Sequence, residues 1–236
     1  ADFGLKLSYA EQPSPGGLAQ AFIIGEKFIG KSNVVMILGD NIFYGNGISL
    51  VLKQAINNSK KKRATIFGYY VNDPKRFGVV GFNKHGRITS IEEKPIKPKS
   101  NYAVTGLYFY DNRVVEFAKK LKPSERGELE ITDINKIYLK KKNLDIKLFG
   151  RGFAWFDTGT VSSLIDANEF VKTIEERQNT KIAALEEIAY KNKWITRTQL
   201  LNMVKKYGNS TYGKYLMRVA TEKDKSAIHL IKIKVI

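Results

Sequence analysis

The 236-residue chain contains no cysteine and only two histidines. Without a thiol there is no disulfide framework, no thiol nucleophile and no thiolate-ligated zinc, and a reducing compartment is permitted. His85 lies in a turn cluster and His229 in the C-terminal tail, so a Ser-His-Asp triad or a His-ligated metal lacks convincing members. No apolar run approaches the roughly 18 residues of a membrane span, and the start carries no signal-peptide pattern. The expectation is a soluble, cytoplasmic protein with no membrane partner. An initiator Met is also absent. The chain opens with Ala1, where the pattern reads as the approach to a strand, so processing or a piece of something longer is expected.

Acidic side chains are scarce beside basic ones, 23 against 40, for a net charge of +17. One reading is an anionic partner: nucleic acid, nucleotide or sugar phosphate. The other is a solvated Lys-rich surface, because the basic residues are 31 Lys against 9 Arg and specific phosphate recognition favours the Arg fork. The densest runs, Lys60 to Arg63 and Lys140 to Lys142, have no interleaved aromatics, which argues against a single-strand groove. Nucleic acid is not an expected partner.

What the chain does have is 43% hydrophobic and 11% aromatic residues, enough to exclude disorder and to bury a sizeable core. Strands alternate with helical patterns. Lys6 to Ala10 alternates like a strand, and Leu18 to Phe28 has helical spacing. Val34 to Leu38 is a continuous β-branched run suited to a buried parallel strand. Ile48 to Ile56 reads as a helix and Ala64 to Val71 as a strand, so the first part has α/β grammar. Phe77 to Phe82 and Arg87 to Glu93 form a hairpin turning at Gly86. Tyr102 to Tyr110 and Leu144 to Phe149 read as strands, and Val114 to Leu121, Thr132 to Lys142 and Val161 to Arg177 as helices. Only short helices follow, near Leu185 to Lys193, Thr198 to Lys206 and Tyr212 to Val219. The expected division is an α/β body over 1–180 and a helical segment over 181–236, of which 223–236 is atypical.

Five segments carry candidate chemistry. Asp40, in Leu38-Gly39-Asp40-Asn41, follows the most apolar strand, where ligands of open α/β sheets bind. It suits a hard cation such as Mg2+ or, alternatively, caps a turn. Glu11 to Gln20 is a Pro- and Gly-rich loop feeding a helix. Gln12 there offers donor and acceptor atoms to a nucleobase edge, although an ordinary loop reads the same way. Glu92-Glu93-Lys94-Pro95 ends a strand with carboxylates for sugar hydroxyls and a point charge for phosphate, or is a surface charge cluster. Gly106, within Asn101 to Tyr108, invites close approach. Asp157, in Trp155 to Thr160, is a second carboxylate before a helix that Thr158 or Thr160 caps. Spacing alone does not show whether Asp40 and Asp157 meet.

Together and in this order, these segments resemble the glucose-1-phosphate thymidylyltransferases. The phrases Gln12 to Phe22, Leu38 to Asn41, Asn101 to Tyr110, Arg126 to Asp133 and Trp155 to Thr160 carry the likeness, which runs from about Leu5 to Leu216. The resemblance implies a Rossmann-like nucleotidyltransferase fold: a mixed, mostly parallel central sheet flanked by helices, with a small helical tail. It implies synthesis of dTDP-glucose and pyrophosphate from dTTP and glucose 1-phosphate, within dTDP-rhamnose or other deoxysugar biosynthesis, by a homo-tetramer. Asp40 and Asp157 would hold Mg2+, and Lys94 and Asp40 would be catalytic. Gln12, Pro15, Gly17 and Asp40 would take the nucleotide, and Asn41, Gly78, Glu93, Val104 and Tyr108 the sugar. Tyr44, Gly45, Arg151 and Glu187 would belong to a second nucleotide site. Members of the family open with a Gly-rich strand-loop unit and a Lys-x-x-x-Pro element that hold the triphosphate. This chain has neither, so the first βα unit is expected to be missing. The alternative is a non-catalytic remnant or subunit that binds sugar nucleotide or completes an oligomer.

Overall fold

A computed structural model describes Phe3 and residues 5–222. Their contacts divide into two compact units, one of Ala10–Ala167 and one joining the described part of 1–9 to 168–222. The division falls inside a long helix. The atypical tail at 223–236, with His229, lies outside the described residues.

In the first unit the elements run α1 (Gln20–Ile24), α2 (Glu26–Ile29), β1 (Val34–Ile37), β2 (Asn41–Gly45), α3 (Ile48–Lys60), β3 (Ala64–Tyr70), β4 (Gly78–Phe82) and β5 (Ile88–Glu93). They continue with β6 (Tyr102–Tyr110), α4 (Val114–Lys119), α5 (Ile131–Lys140), β7 (Leu144–Phe149), β8 (Phe153–Asp157) and the start of α6 (Val161–Gln178). The main sheet has the order β5-β4-β6-β3-β7, with β1 also on β6, while β2 and β8 form a separate two-stranded sheet. Period-2 alternation explains why helices cover both faces. Ile66, Tyr108 and Tyr110 enter one core with Phe22 and Tyr138. Phe67, Leu107 and Phe109 enter another with Ala55 and Phe149.

The sheet is mixed and flanked by helices, but its pairing corrects the expected predominance of parallel strands. Among the described residues only β3 and β7 are parallel, because the central β6 runs against β1, β3 and β4. Val34 to Leu38 is likewise neither parallel nor fully buried. Val35 and Ile37 are 49% and 59% exposed, since no described strand lies along the other edge of β1. Lys6 to Ala10 is exposed and not a strand. Alternation supplies the side chains of a strand, but a ladder also needs a neighbour. The helix over Leu18 to Phe28 breaks into α1 and α2 at Gly25. The hairpin is as expected, with Asn83 Oδ1 accepting from the His85 and Arg87 amides at 3.0 Å each.

The second unit contains the rest of α6, then α7 (Leu185–Lys191), α8 (Arg197–Tyr207) and α9 (Thr211–Thr221). Its core gathers Leu200, Met203, Val204, Tyr215 and Leu216. A capping box between Thr196 and Gln199 starts α8. Buried Glu186 accepts hydrogen bonds from the Tyr207 and Tyr212 hydroxyls, 2.5 Å each.

Candidate active site

A cleft of about 280 Å³ opens in the first unit where β1, β5 and β8 end, over the middle of β6. Its lining brings together Asp40, Asn41, Gly78, Glu93, Lys94, Val104, Tyr108 and Asp157. Eight of the expected positions, drawn from five stretches of sequence, therefore line one cleft.

The two-stranded sheet is what makes Asp40 and Asp157 meet. Asn41 stands opposite Asp157 in the β2–β8 register. Thr158 then ties the end of β8 back, its amide and its hydroxyl both donating to the Asp40 carbonyl at 2.8 and 2.9 Å. A methyl group placed on Gly159 would lie 3.4 Å from Asp157 Oδ1 and 3.8 Å from Asp40 Oδ2, so both carboxylates face one small space. Burial pushes the Asp157 carboxyl above its ordinary value, and the neighbouring Asp40 pushes it further. Among the described residues no three His, Cys, Asp or Glu stand close enough together to hold a metal ion by themselves. Two adjacent carboxylates that repel one another fit Mg2+, which binds one or two carboxylates together with substrate phosphates rather than a full protein cage.

Asn41 fixes Asp40. Its side-chain oxygen accepts from the Gly106 amide (2.9 Å) and the Trp155 indole (2.7 Å), which leaves its NH2 to donate to Asp40 Oδ1 at 2.8 Å. Gly106 is required for this approach, because a Cβ there would come within 2.6 Å of Asn41 Oδ1. On the opposite wall, Glu93 accepts from the Thr132 hydroxyl at 2.5 Å. Tyr108 is buried, and burial together with the Glu93 charge keeps its hydroxyl protonated.

Several lining residues were not singled out by the sequence reading: Arg76, Phe77, Arg126, Glu130, Thr132 and Trp155. Arg126 donates to Glu128 (2.8 Å) and to Glu130 (3.2 and 3.3 Å), and Ser124 donates to Glu130 at 2.7 Å. The signal was present in the phrase Arg126 to Asp133, which carried the resemblance but no assigned role. Arg76 comes from a single 3-10 turn and lies over the Phe77 ring, a placement that no pattern announces.

Gln12, Pro15 and Gly17 do not line the cleft. Gln12 donates to the Gly17 carbonyl and to Gln20. Their loop is nevertheless fastened to the cleft wall, since the Leu129 amide donates to the Gly16 carbonyl at 2.8 Å and the Ala19 amide to the Leu129 carbonyl at 3.1 Å. Leu18, which follows Gly17, does line the cleft. Tyr44 and Gly45 pair with Ala154 and Phe153, just beyond Arg151. Glu187 is in the second unit, where it accepts from Lys191 and Tyr215.

The family profile described as nucleotidyl transferase matches residues 1–174. The chain is 57% identical over 219 residues to a glucose-1-phosphate thymidylyltransferase of Neisseria meningitidis, covering 93% of this chain and 75% of that protein. It is 48% identical over 221 residues to the enzyme of that name from Mycobacterium tuberculosis, again covering 93% and 75%. A solved structure from Bacillus anthracis assigned to the same enzyme, in complex with sucrose, superposes with a TM-score of 0.64 at 45% identity, over 72% of this chain and 66% of that one. A UDP-glucose pyrophosphorylase complexed with UDP-glucose gives 0.62 at 28% identity, over 70% and 66%.

Proposed function

This chain belongs to the nucleotidyl transferase family, among the glucose-1-phosphate thymidylyltransferases, and from that premise we propose that its cleft serves the synthesis of dTDP-glucose and pyrophosphate from dTTP and α-D-glucose 1-phosphate, residues 1–236 alone recognising the sugar nucleotide without turning over. The observation that carries this is the cleft itself, with two converging carboxylates on one wall and Lys94, Glu93 and Arg126 around the other. About 280 Å³ falls just below the ~300–1,000 Å³ of sites that enclose a drug-sized ligand. The enclosed part therefore suits a sugar phosphate, while the nucleoside lies toward the Gln12 to Leu18 loop. Glu93 and the backbone at Gly78 and Val104 meet the sugar hydroxyls. Lys94 holds the sugar phosphate so that its oxygen faces the α-phosphorus of dTTP in line, and no covalent intermediate is needed. Asp40 and Asp157 would hold a Mg2+ ion, which supplies charge neutralisation on the triphosphate. Asn41 acts through Asp40, keeping that carboxylate aimed at the reacting phosphates.

Isothermal titration with dTDP-glucose tests sugar-nucleotide recognition, and coupled detection of pyrophosphate tests turnover, of which none is expected from residues 1–236 alone. Heat that saturates with dTDP-glucose and is lost in Glu93→Ala is the expected result. Heat that follows charge alone, equal for dTDP-glucose and inorganic pyrophosphate, would overturn the assignment.

A further inference from the structure

The two densest lysine runs, Lys60 to Lys62 and Lys140 to Lys142, take no part in the cleft, yet the fold brings them together. α3 and α5 cover opposite faces of the main sheet, Ala55 packing with Phe67 and Phe149, and Tyr138 with Ile66 and Tyr110. Both helices then turn into neighbouring strands. β3 and β7 are parallel, with Ala64 opposite Leu144, so the runs that precede them emerge side by side from strands about 4.8 Å apart. Arg63 ties the two turns, donating to the Lys142 carbonyl at 3.0 Å, and Arg113 donates to the Lys62 carbonyl at 2.6 Å. β1 runs in the same direction as β3, since both oppose β6. The cleft meets the end of β1 and the lysines the start of β3, so they occupy opposite ends of the sheet.

All six lysines are exposed, and none pairs with a carboxylate among the described residues. Two acids at this end are already used, Asp145 by Arg63 at 2.6 Å and Asp111 by Arg113 at 2.8 Å. The helix dipole attracts cations to a C-terminus, which accounts for Lys60 and Lys140 in the last turns. It does not account for Lys62 and Lys142, each with a φ of +59°. Both sit in the same helix-ending motif. The Lys62 and Arg63 amides donate to the Ser59 and Asn58 carbonyls at 3.0 and 3.1 Å, and the Lys142 and Asn143 amides to the Leu139 and Tyr138 carbonyls at 2.9 Å each. The left-handed position of that motif favours glycine. A lysine held there at both turns keeps a charge at the expense of conformational ease.

We propose that this end of the sheet is a docking surface for an anionic lipid bilayer, on which the protein rests peripherally. The runs have no interleaved aromatic to stack on bases. Arg63 and Arg113 are held by acids, so no free guanidinium fork is offered here to a single phosphate. What remains is six point charges on flexible stems, which suit a field of anionic headgroups. Each lysine close to such a surface is worth roughly a fivefold gain in affinity. Six together support reversible attachment without an inserted helix, and no helix among the described residues is long and apolar enough to cross a membrane. The expectation of no membrane partner rested on the lack of a spanning run, which a peripheral contact does not need. Docking by this end leaves the cleft at the other end of the sheet.

The test is co-sedimentation of the whole chain, kept dilute, with vesicles of phosphatidylglycerol and phosphatidylcholine and with vesicles of phosphatidylcholine alone. A gel shift with duplex DNA at the same ionic strength accompanies it. The chain should sediment with the anionic vesicles only, and less so as salt rises. Lys60→Gln/Lys61→Gln/Lys62→Gln and Lys140→Gln/Lys141→Gln/Lys142→Gln should each weaken this at least ~30-fold. Removing three charges from scattered exposed positions, in Lys31→Gln/Lys84→Gln/Lys205→Gln, should weaken it no more than ~3-fold. Lys62→Gly/Lys142→Gly should weaken it ~10-fold or more while the thermal midpoint stays or rises, because glycine suits the backbone there. That variant separates lost charge from lost fold, and circular dichroism checks the others. Equal weakening by clustered and scattered triplets would reduce the effect to net charge and overturn the proposal. So would failure to bind anionic vesicles, or duplex DNA bound as tightly as the vesicles through the same six lysines.

Discussion

Lys94 has a backbone φ of +40°, a conformation that non-glycine residues seldom hold, at the point where β5 ends in the cleft. Its amide donates to the Phe77 carbonyl at 3.0 Å, which fixes the turn from which the side chain departs. Strain of this kind is retained where the surroundings over-determine it, and here it places a cation beside Glu93. Replacing Lys94 with Ala should weaken glucose 1-phosphate binding by roughly tenfold or more, the worth of one charge-assisted contact, and dTTP binding little. Calorimetric titration with each ligand checks this, and equal losses would mean the amine faces something else. A second residue-scale test concerns stability. Asp111 is 2% exposed and accepts from the Arg113 amide and guanidinium at 2.8 to 3.0 Å. Burial pushes its carboxyl up, but the Arg113 hydrogen bonds and charge outweigh that and hold it below the ordinary 3.8. The stabilisation is therefore fully present above about pH 3.8 and is lost as pH falls through the lower folded value. Asp111→Asn should cost about 1–3 kcal/mol at pH 7, since Arg113 is partly exposed. Urea unfolding from pH 7 to pH 3 should show the gap between the proteins closing at the acid end.

At the scale of elements, the site depends on two short strands that pair only with each other. β2 and β8 are five residues each and half-buried throughout, so neither shows the alternation that made β6 legible. Asp40 and Asp157 could be nominated from their positions after apolar segments, but only the ladder and the Thr158 hydrogen bonds bring them together. The hairpin at Gly86 and the buried β6 were readable because turn chemistry and hydrophobic period are local. The strand over Lys6 to Ala10 and the parallel pairing were not, because both depend on which neighbour lies alongside. Gly106 joins the two sheets through Asn41, which gives a sharp test. Gly106→Ala would drive a Cβ to within 2.6 Å of Asn41 Oδ1, displacing the group that aims Asp40. It should cost about 1–3 kcal/mol in stability and weaken Mn2+ binding, followed by electron paramagnetic resonance. The helical unit offers a control, since Thr196→Ala removes a cap worth about 1 kcal/mol and should leave metal binding at the cleft intact.

Across the whole molecule, charge is distributed against the simplest reading of a +17 chain. The cleft has three cations, Arg76, Lys94 and Arg126, against five carboxylates, Asp40, Glu93, Glu128, Glu130 and Asp157. Arg126 is moreover already shared between Glu128 and Glu130. The basic excess is therefore elsewhere, on the surface, as a Lys-dominated composition suggests. Transfer to an α-phosphorus requires a triphosphate bearing about four negative charges to be held in line by cations and backbone amides. A cleft lined this way offers too few of them, even with one divalent ion between the aspartates. β1 meanwhile has an edge without a described partner, with Val35 and Ile37 half-exposed and Phe28 73% exposed nearby in sequence. Such an edge invites pairing with another chain. We therefore predict that residues 1–236 on their own release no pyrophosphate from dTTP and glucose 1-phosphate, and that at high concentration they self-associate through the β1 edge. Light scattering and a pyrophosphate assay decide it together. Measurable turnover by the 236-residue chain would refute the charge argument and require cations outside the cleft lining to reach the triphosphate.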